Sequence, residues 1–330
     1  MTGVLSFLRN AQNEGRLKFY ENKLLSDISS FGIGGPAVLT VYPFDAETLK
    51  QTASGVLSAG IRSIVVGNAT NLLFDDLGFG GAVISCSCMK RIIYPYRGGR
   101  YAGNERKECE EYIYAECGAS LPAFVNKASR CGLTGFEGLC SVPATMGGAI
   151  VSNAGAFGCE IADKLSAFEV FDPKTARGVI RTREETHFSY RESGAAAPGE
   201  VIISALFRAE KGDPTEISAR LSEAKEKRLA SQPQGVRSAG SYFKKPDARQ
   251  GFEPYRGMSA GELIDRCGLK GLSVGDAAVS EKHANFIINK GAASCRDVLA
   301  LADIIKKTVL ERTGIALIEE VRYIPYRREV

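Results

Sequence analysis

The stretch SVPATMGGAIVSNAGAFG, Ser141 to Gly158, decides how this chain is read. Glycine, alanine and serine dominate it, with Asn153 set among them. Such small residues pack poorly by themselves, and glycine loses the most backbone freedom on folding. A use for bare backbone is close approach: small side chains let the main chain lie against a large flat ligand, with N–H groups at the ligand's edge. A glycine-rich packing loop is the other reading of this stretch taken alone.

A second segment bears on the choice. In VVGNATNLL a short apolar strand, Ile64 to Val66, runs straight into Gly67, Asn68, Ala69, Thr70 and Asn71. A tight turn of small polar residues after a strand can point several N–H groups into one concavity, which suits phosphate oxygens. No P-loop lysine follows, and a diphosphate that is only held needs none. An ordinary strand-to-helix turn would look similar. Together, a phosphate cradle and a bare wall downstream suit a long dinucleotide with a planar ring, which points to FAD. GIGGPA, Gly32 to Ala37, matches the dinucleotide fingerprint only formally. That fingerprint follows a strand and opens a helix, whereas here the β-rich run VLTVYPF follows.

Bulk properties bound the rest. A chain of 330 residues is long enough for two or three domains. Forty-two basic residues are interspersed with thirty-eight acidic ones, for a net charge of +4. This lacks the concentrated basic face of a nucleic-acid binder. No apolar run approaches the roughly 20 residues that span a bilayer, and MTGVLSFLRNAQNEG lacks the apolar core of a secretory signal. A cytoplasmic chain is expected, a monomer acting on a small molecule, with no nucleic-acid or membrane partner. Nine cysteines occur without C-x-x-C spacing, and His187 and His283 lie far from Cys86 and Cys88. Reduced thiols are expected, and no metal.

The element pattern is α+β. Segment 45–60 reads as a helix capped by Asp45 and ended by Gly60. IRSIVVG, GAVISCS, EYIYAEC and VIISALFRAEKGD read as strands, AFEVFDPKTARGVIRT as a hairpin, and EISARLSEAKEKRLASQ as a charged helix. SLPAFVNKASRCGL reads as a helix capped by Ser120. Ser259 with Glu262, and Ser294 with Asp297, have capping-box spacing. The second box opens a helix with Val298, Leu301, Ala302, Ile305 and Val309 on one face, stopped by Gly314. IALIEEVRYI reads as a closing strand.

Three polar residues stand out only weakly. Ser241 sits in a small-residue turn, AGSYFKKP; Arg191 lies in FSYRES; Glu320 lies in IEEVR near the end. Each alone is an ordinary structural residue, and no Ser-His-Asp pattern or G-x-S-x-G elbow accompanies them.

Taken in order, GNATNLLFDDLGFGGAVI, GLTGFEGLCSVPATMGGAIVSNAGAFG, FSYRES, AGSYFKKP, AGELIDRCGLKGLSVGDAAVSEKHANFIIN and IEEVR resemble the UDP-N-acetylenolpyruvoylglucosamine reductase family, from about residue 20 to 325. Each motif is weak, but the ordered set is specific. The resemblance implies a two-part FAD-binding region of the vanillyl-alcohol-oxidase (PCMH) type followed by an α+β substrate-binding domain. The expected divisions are 1–85, 86–212 and 213–330. It also implies non-covalent FAD, NADPH as hydride donor, and reduction of the enolpyruvyl group of UDP-N-acetylglucosamine enolpyruvate to UDP-N-acetylmuramate for peptidoglycan.

By matching positions, the resemblance makes Arg191 and Glu320 the pair that polarises the substrate carboxylate, and Ser241 the proton donor. Glu320 donates a hydrogen bond only if burial raises its pKa. FAD falls to Ile33, Gly34 and Gly35, to Gly67, Asn68, Ala69, Thr70, Asn71 and Leu72, to Ser141, Val142, Pro143, Ala144, Thr145, Gly147, Gly148 and Ala149, and to Asn153, Ala154 and Gly155. The sugar nucleotide falls to Tyr190, Arg228, Lys244 and Lys245. Ala69 and Ala144 replace customary glycines, Lys245 a customary asparagine, and Ile318 a customary glutamate. The short span from Arg191 to Val201 leaves no room for a tyrosine-bearing lid, so the lidless form is expected. Two other readings stay open: an FAD oxidase of an alcohol or sugar, and a flavin- or nucleotide-sugar-binding protein without catalysis. His187 and His283 lie outside the cofactor motifs, which argues against a histidyl-tethered flavin.

Overall fold

The computed structural model describes residues 2–101 and 111–327. The chain forms two compact units, each discontinuous in sequence. The first comprises Met1–Glu21, Leu39–Asn68 and Gly81–Arg228; the second comprises Asn22–Val38, Ala69–Gly80 and Leu229–Val330.

In the first unit, the strand Ser63–Val66 pairs parallel with Phe79–Ser85, aligning Ile64 with Val83 and Val66 with Ser85. Their crossover, residues 67–78, carries the short strand Leu72–Phe74 and no helix. The helix Ala46–Ser58 precedes them, with the Asp45 carboxylate accepting from Thr48 N at 2.8 Å. A larger sheet is ordered Arg177–Thr182, Leu165–Asp172, Val201–Lys211, Glu111–Glu116 and Ile92–Ile93. Its central strand, Val201–Lys211, is buried on both faces over its first seven residues, which is why VIISALF carries no polar alternation. Phe124, Phe136 and Phe207 meet in its core at centroid distances of 5.0 to 6.3 Å.

The second unit has an antiparallel sheet ordered Arg237–Ser241, Phe286–Asn289, Ala277–Val279 and Ser273–Val274. The helices Ala260–Arg266 and Cys295–Thr313 supply its core partners. Both expected capping boxes form. Val298, Leu301, Ala302, Ile305 and Val309 are fully buried, and Gly314 ends the helix in the left-handed conformation.

Three local readings change. Ser120 occupies the cap position of Leu121–Arg130, but its side chain makes no capping bond; its main chain instead forms an isolated bridge with Thr145. The terminal strand is only Arg322–Ile324, paired parallel with Leu72–Phe74. Residues 315–321 alternate in burial like a strand but join no ladder, having only the lone bridge of Glu319 to Phe243. The small-residue stretch also contains a short helix, Met146–Val151. Among the described residues no helix is long and apolar enough to cross a membrane, and the cysteines are free thiols. Cys109 lies outside the described residues.

The short span after Arg191 is pinned by a bidentate ion pair. Arg181 Nη1 and Nη2 donate to the two Glu200 carboxylate oxygens at 2.8 and 2.7 Å, and Nη1 also donates to Ala195 O. The Arg181 guanidinium holds the Glu200 carboxyl below its usual range, against an opposing push from burial. A depressed folded-state pKa stabilises above the unfolded-state value, and the contribution disappears as pH falls through the folded one. Glu200→Gln should therefore cost about 1 kcal/mol at neutral pH, allowing for partial exposure. In urea denaturation the gap from wild type should close below about pH 4. A gap unchanged from pH 7 to pH 3 contradicts this account.

Candidate functional site

The first unit carries the small-residue stretch, and its geometry follows from Thr145. This buried residue caps Met146–Val151, its hydroxyl accepting from Gly148 N at 3.4 Å. The same hydroxyl fills the space beside Gly67, where an added Cβ would lie 2.0 Å from Thr145 Oγ1. Thus the end of the strand Ser63–Val66 and the start of the short helix lie in direct contact. Gly67 is bare because the protein's own threonine occupies that position. Gly148 is different: an added Cβ there meets only Thr145 Oγ1, at 3.4 Å, and the residue is exposed.

Many N–H groups of this stretch are already engaged. Val142 N, Ala144 N, Met146 N, Gly147 N, Ala149 N and Ala154 N donate to carbonyls of Leu139, Val142, Ala119, Cys117, Thr145 and Ala149. These positions therefore offer a ligand close approach rather than hydrogen-bond donors. Ser141 and Pro143 complete this surface, half-buried and exposed respectively.

Asn153 is 1% exposed and left-handed, at φ 41°. Its Nδ2 donates to Glu160 Oε2 at 2.8 Å and to Ser189 O at 2.9 Å. No donor among the described residues reaches its buried Oδ1. A buried acceptor left unpaired costs roughly 1–3 kcal/mol, so this amide fits a site completed by an N–H or O–H from outside the chain. FAD carries such donors on its ring and ribityl chain, and the residues fit it.

Arg191 is joined to the same stretch. It occupies the two-residue turn between Phe188–Ser189 and Glu192–Ser193, at φ 57°. Its Nη2 donates to Gly155 O at 2.7 Å, and the guanidinium lies 5.1 Å from the Tyr190 ring centroid. An added Cβ at Gly155 would lie 3.1 Å from Arg191 Nη1. Ser193 Oγ donates to Val151 O at 3.0 Å. FSYRES and the small-residue stretch, separate as motifs, therefore form one hydrogen-bonded assembly. Tyr190 is exposed. Arg228 is half-buried in the last turn of Pro214–Ser231; burial pushes its pKa down, and no carboxylate pairs with it among the described residues.

The second unit carries the remaining positions. Gly35 N donates to Asp75 O, and an added Cβ would lie 2.3 Å from Asp76 O. Gly34 is at φ 134°, with Phe74 Cβ and Leu25 Cβ under 3.0 Å from an added Cβ, and Ile33 is buried in the core. Packing within the protein accounts for these glycines. Ala69 is buried at φ 48°, a conformation in which its methyl is strained and glycine is not. Thr70 and Leu72 flank Asn71, whose side chain bonds Glu320 O.

Ser241 ends Arg237–Ser241 opposite Phe286, after a register shift that contains left-handed Gly240. Such a bulge re-aims the following side chain. Tyr242 O accepts from Glu320 N at 2.8 Å, and Lys244 N donates to Ile318 O at 2.8 Å. Ser241 and Glu320 are thus carried on hydrogen-bonded segments. Lys244 is half-buried and Lys245 exposed.

Sequence reasoning missed three supporting residues. Glu160 anchors the Asn153 amide. Asn285 accepts from Phe243 N and donates to Phe243 O, at 3.0 and 2.9 Å, while its main-chain O accepts from Tyr242 N. His283 Nδ1 accepts from Asn285 N at 3.2 Å, and burial lowers its pKa, keeping that acceptor available. Only the motif KHANFIIN, singled out without a role, pointed toward the last two.

Comparisons with known proteins define the class and then the family. A family model described as "FAD binding domain" matches residues 37–177. The chain is an FAD-containing oxidoreductase, with the α+β organisation expected of an FAD-binding region followed by a substrate domain. A second model, "UDP-N-acetylenolpyruvoylglucosamine reductase, C-terminal domain", matches residues 232–324. The UDP-N-acetylenolpyruvoylglucosamine reductase of Caldanaerobacter subterraneus subsp. tengcongensis is 37% identical over 317 residues, 96% of each chain. That of Geobacter metallireducens is 38% identical over 296 residues, 90% of each. The crystal structure of the reductase from Thermus caldophilus superposes with a TM-score of 0.73 at 34% identity, covering 94% of this chain and 99% of that one. The chain belongs to the UDP-N-acetylenolpyruvoylglucosamine reductase family, as the ordered motifs imply.

The Gly67–Thr145 contact generates a test. Gly67→Ala should raise the flavin Kd at least about tenfold and lower the melting temperature, because the new methyl must displace Thr145. The double variant Gly67→Ala/Thr145→Ser should recover part of the melting temperature, since serine keeps the hydroxyl and removes a methyl. Wild-type flavin affinity in Gly67→Ala, measured by fluorescence titration, contradicts the assignment.

Proposed function

We propose that this chain reduces UDP-N-acetylglucosamine enolpyruvate to UDP-N-acetylmuramate with NADPH, supplying a peptidoglycan precursor. When bound, FAD would supply the redox chemistry between NADPH and the enolpyruvyl group. The main chain of Gly67 to Leu72 and of Ile33 to Gly35 would hold the dinucleotide. Ser141 to Ala149 and Asn153 to Gly155 support the ring.

The remaining chemistry falls to side chains. Hydride addition at the terminal carbon of the enol ether leaves negative charge on the neighbouring carbon and its carboxylate. Arg191 offsets that charge with its guanidinium, and Glu320 in its acid form donates a hydrogen bond to it. The Ser241 hydroxyl delivers a proton to the carbon bearing the carboxylate. An alcohol is a weak acid, so this step suits a strongly basic enolate. Tyr190, Lys244 and Lys245 bind the sugar nucleotide. Arg228, desolvated and without a carboxylate partner among the described residues, suits its diphosphate. The reading places the chain in the cytoplasm, as a monomer acting on a small molecule.

The observation that carries this reading is the hydrogen bond from Glu320 N to Tyr242 O, which ties the main chain of the assigned acid residue to the residue beside the assigned proton donor. The purified chain should bind flavin and oxidise NADPH at a rate that depends on the enolpyruvyl sugar. Ser241→Ala should bind flavin and lose about 10²- to 10⁴-fold in kcat. NADPH oxidation indifferent to that substrate, or wild-type kcat in Ser241→Ala, refutes the assignment.

A further inference from the structure

Asn71 closes the turn that sequence reasoning gives to the cofactor, yet its side chain is turned toward Glu320. Asn71 Nδ2 donates to Glu320 O at 3.1 Å, and Asn71 O accepts from Arg322 N at 3.1 Å. These two bonds bracket buried Val321. Glu320 N donates to Tyr242 O. Both main-chain polar groups of Glu320 are therefore held, one by the residue after Ser241 and the other by the Asn71 amide.

The need for this tie follows from the local fold. Regular pairing with Leu72–Phe74 begins only at Arg322. Just before it, Glu319 has a lone bridge to Phe243. Glu320 falls between these two and outside any ladder, where its carbonyl accepts a donor. Asn71 supplies that donor from a side chain, one residue ahead of the strand that takes over. Downstream, Asp75 N donates to Ile324 O and Tyr323 Oη donates to the Asp75 carboxylate, so the joint is closed on its far side as well.

We propose that Asn71 is a positioning residue for the reduction: its side-chain amide fixes the main chain that carries Glu320, and so the place of the Glu320 carboxyl relative to Ser241. The inference rests on the roles proposed above for Glu320 and Ser241. Its chemistry is specific to an amide. Alanine removes the donor, and aspartate sets a carboxylate against the Glu320 carbonyl. The turn's main chain remains available to a diphosphate in either variant, so the effect should travel through Glu320 and leave flavin binding aside.

A double-mutant cycle with the flavin-loaded enzyme tests this. Asn71→Ala should lower kcat for reduction of the enolpyruvyl sugar by about 10- to 100-fold, and Asn71→Asp by at least as much. The flavin Kd of both should stay within about threefold of wild type. Asn71→Ala/Glu320→Gln should be no more than about threefold slower than Glu320→Gln alone, because residues acting as one unit are not additive. A flavin Kd raised tenfold or more makes the side chain a cofactor contact and overturns the proposal. So does a double variant in which the two losses multiply, or a loss in both Asn71 variants that follows a fallen melting temperature. A wild-type chain inactive on the enolpyruvyl sugar overturns the functional reading instead, and the proposal with it. An active wild type whose variants fail the cycle overturns the proposal alone.

Discussion

The buried amide of Asn153 is the constraint on which the first unit's site depends. Both of its donors are committed, one to Glu160 and one to the Ser189 carbonyl. The second bond joins the small-residue stretch to the hairpin that carries Arg191, and the Arg191–Gly155 bond adds to it. The acceptor side of the amide has no donor among the described residues. A chain that only needed to pack this region would fill the position with an apolar side chain. An amide there, with its acceptor bare, makes sense where a ligand completes the set.

Three of the assigned positions carry backbone strain. Ala69, Asn153 and Arg191 all take left-handed φ values, and none is glycine. For alanine and arginine this costs roughly 1–2 kcal/mol each. Glycine at 191 would relieve the turn but lose the guanidinium that reaches Gly155 O. At 69 no such compensation is visible, and nothing in the structure explains the alanine. Such strain persists only where surrounding contacts fix it, as the Arg191 bonds do here.

How much was legible in the sequence follows from the range of each signal. Asp45, the Ser259–Glu262 and Ser294–Asp297 boxes, and Gly314 act within one turn of a helix, and all were readable. The helix Met146–Val151 was hidden because glycine and alanine advertise no apolar stripe; its Thr145 cap and its bonds to the carbonyls of Cys117 and Ala119 hold it. Residues 315–321 carry the alternation of a strand, but pairing depends on a partner that no local pattern reveals. Of the site, the residues were recognisable as motifs. Their connections were not: Asn153 to Ser189 and Asn71 to Glu320 join distant segments through single hydrogen bonds. Gly35 and Gly67 were legible as bare positions, yet their reason lies in the protein's own Asp76 carbonyl and Thr145 hydroxyl.

The most direct test of the central claim is a crystal structure of the flavin-loaded chain beside one of the flavin-free chain. The account requires a flavin N–H or O–H about 3 Å from Asn153 Oδ1, with the ring lying along residues 141–155. A flavin bound elsewhere, or an Oδ1 satisfied by the same water in both crystals, contradicts it.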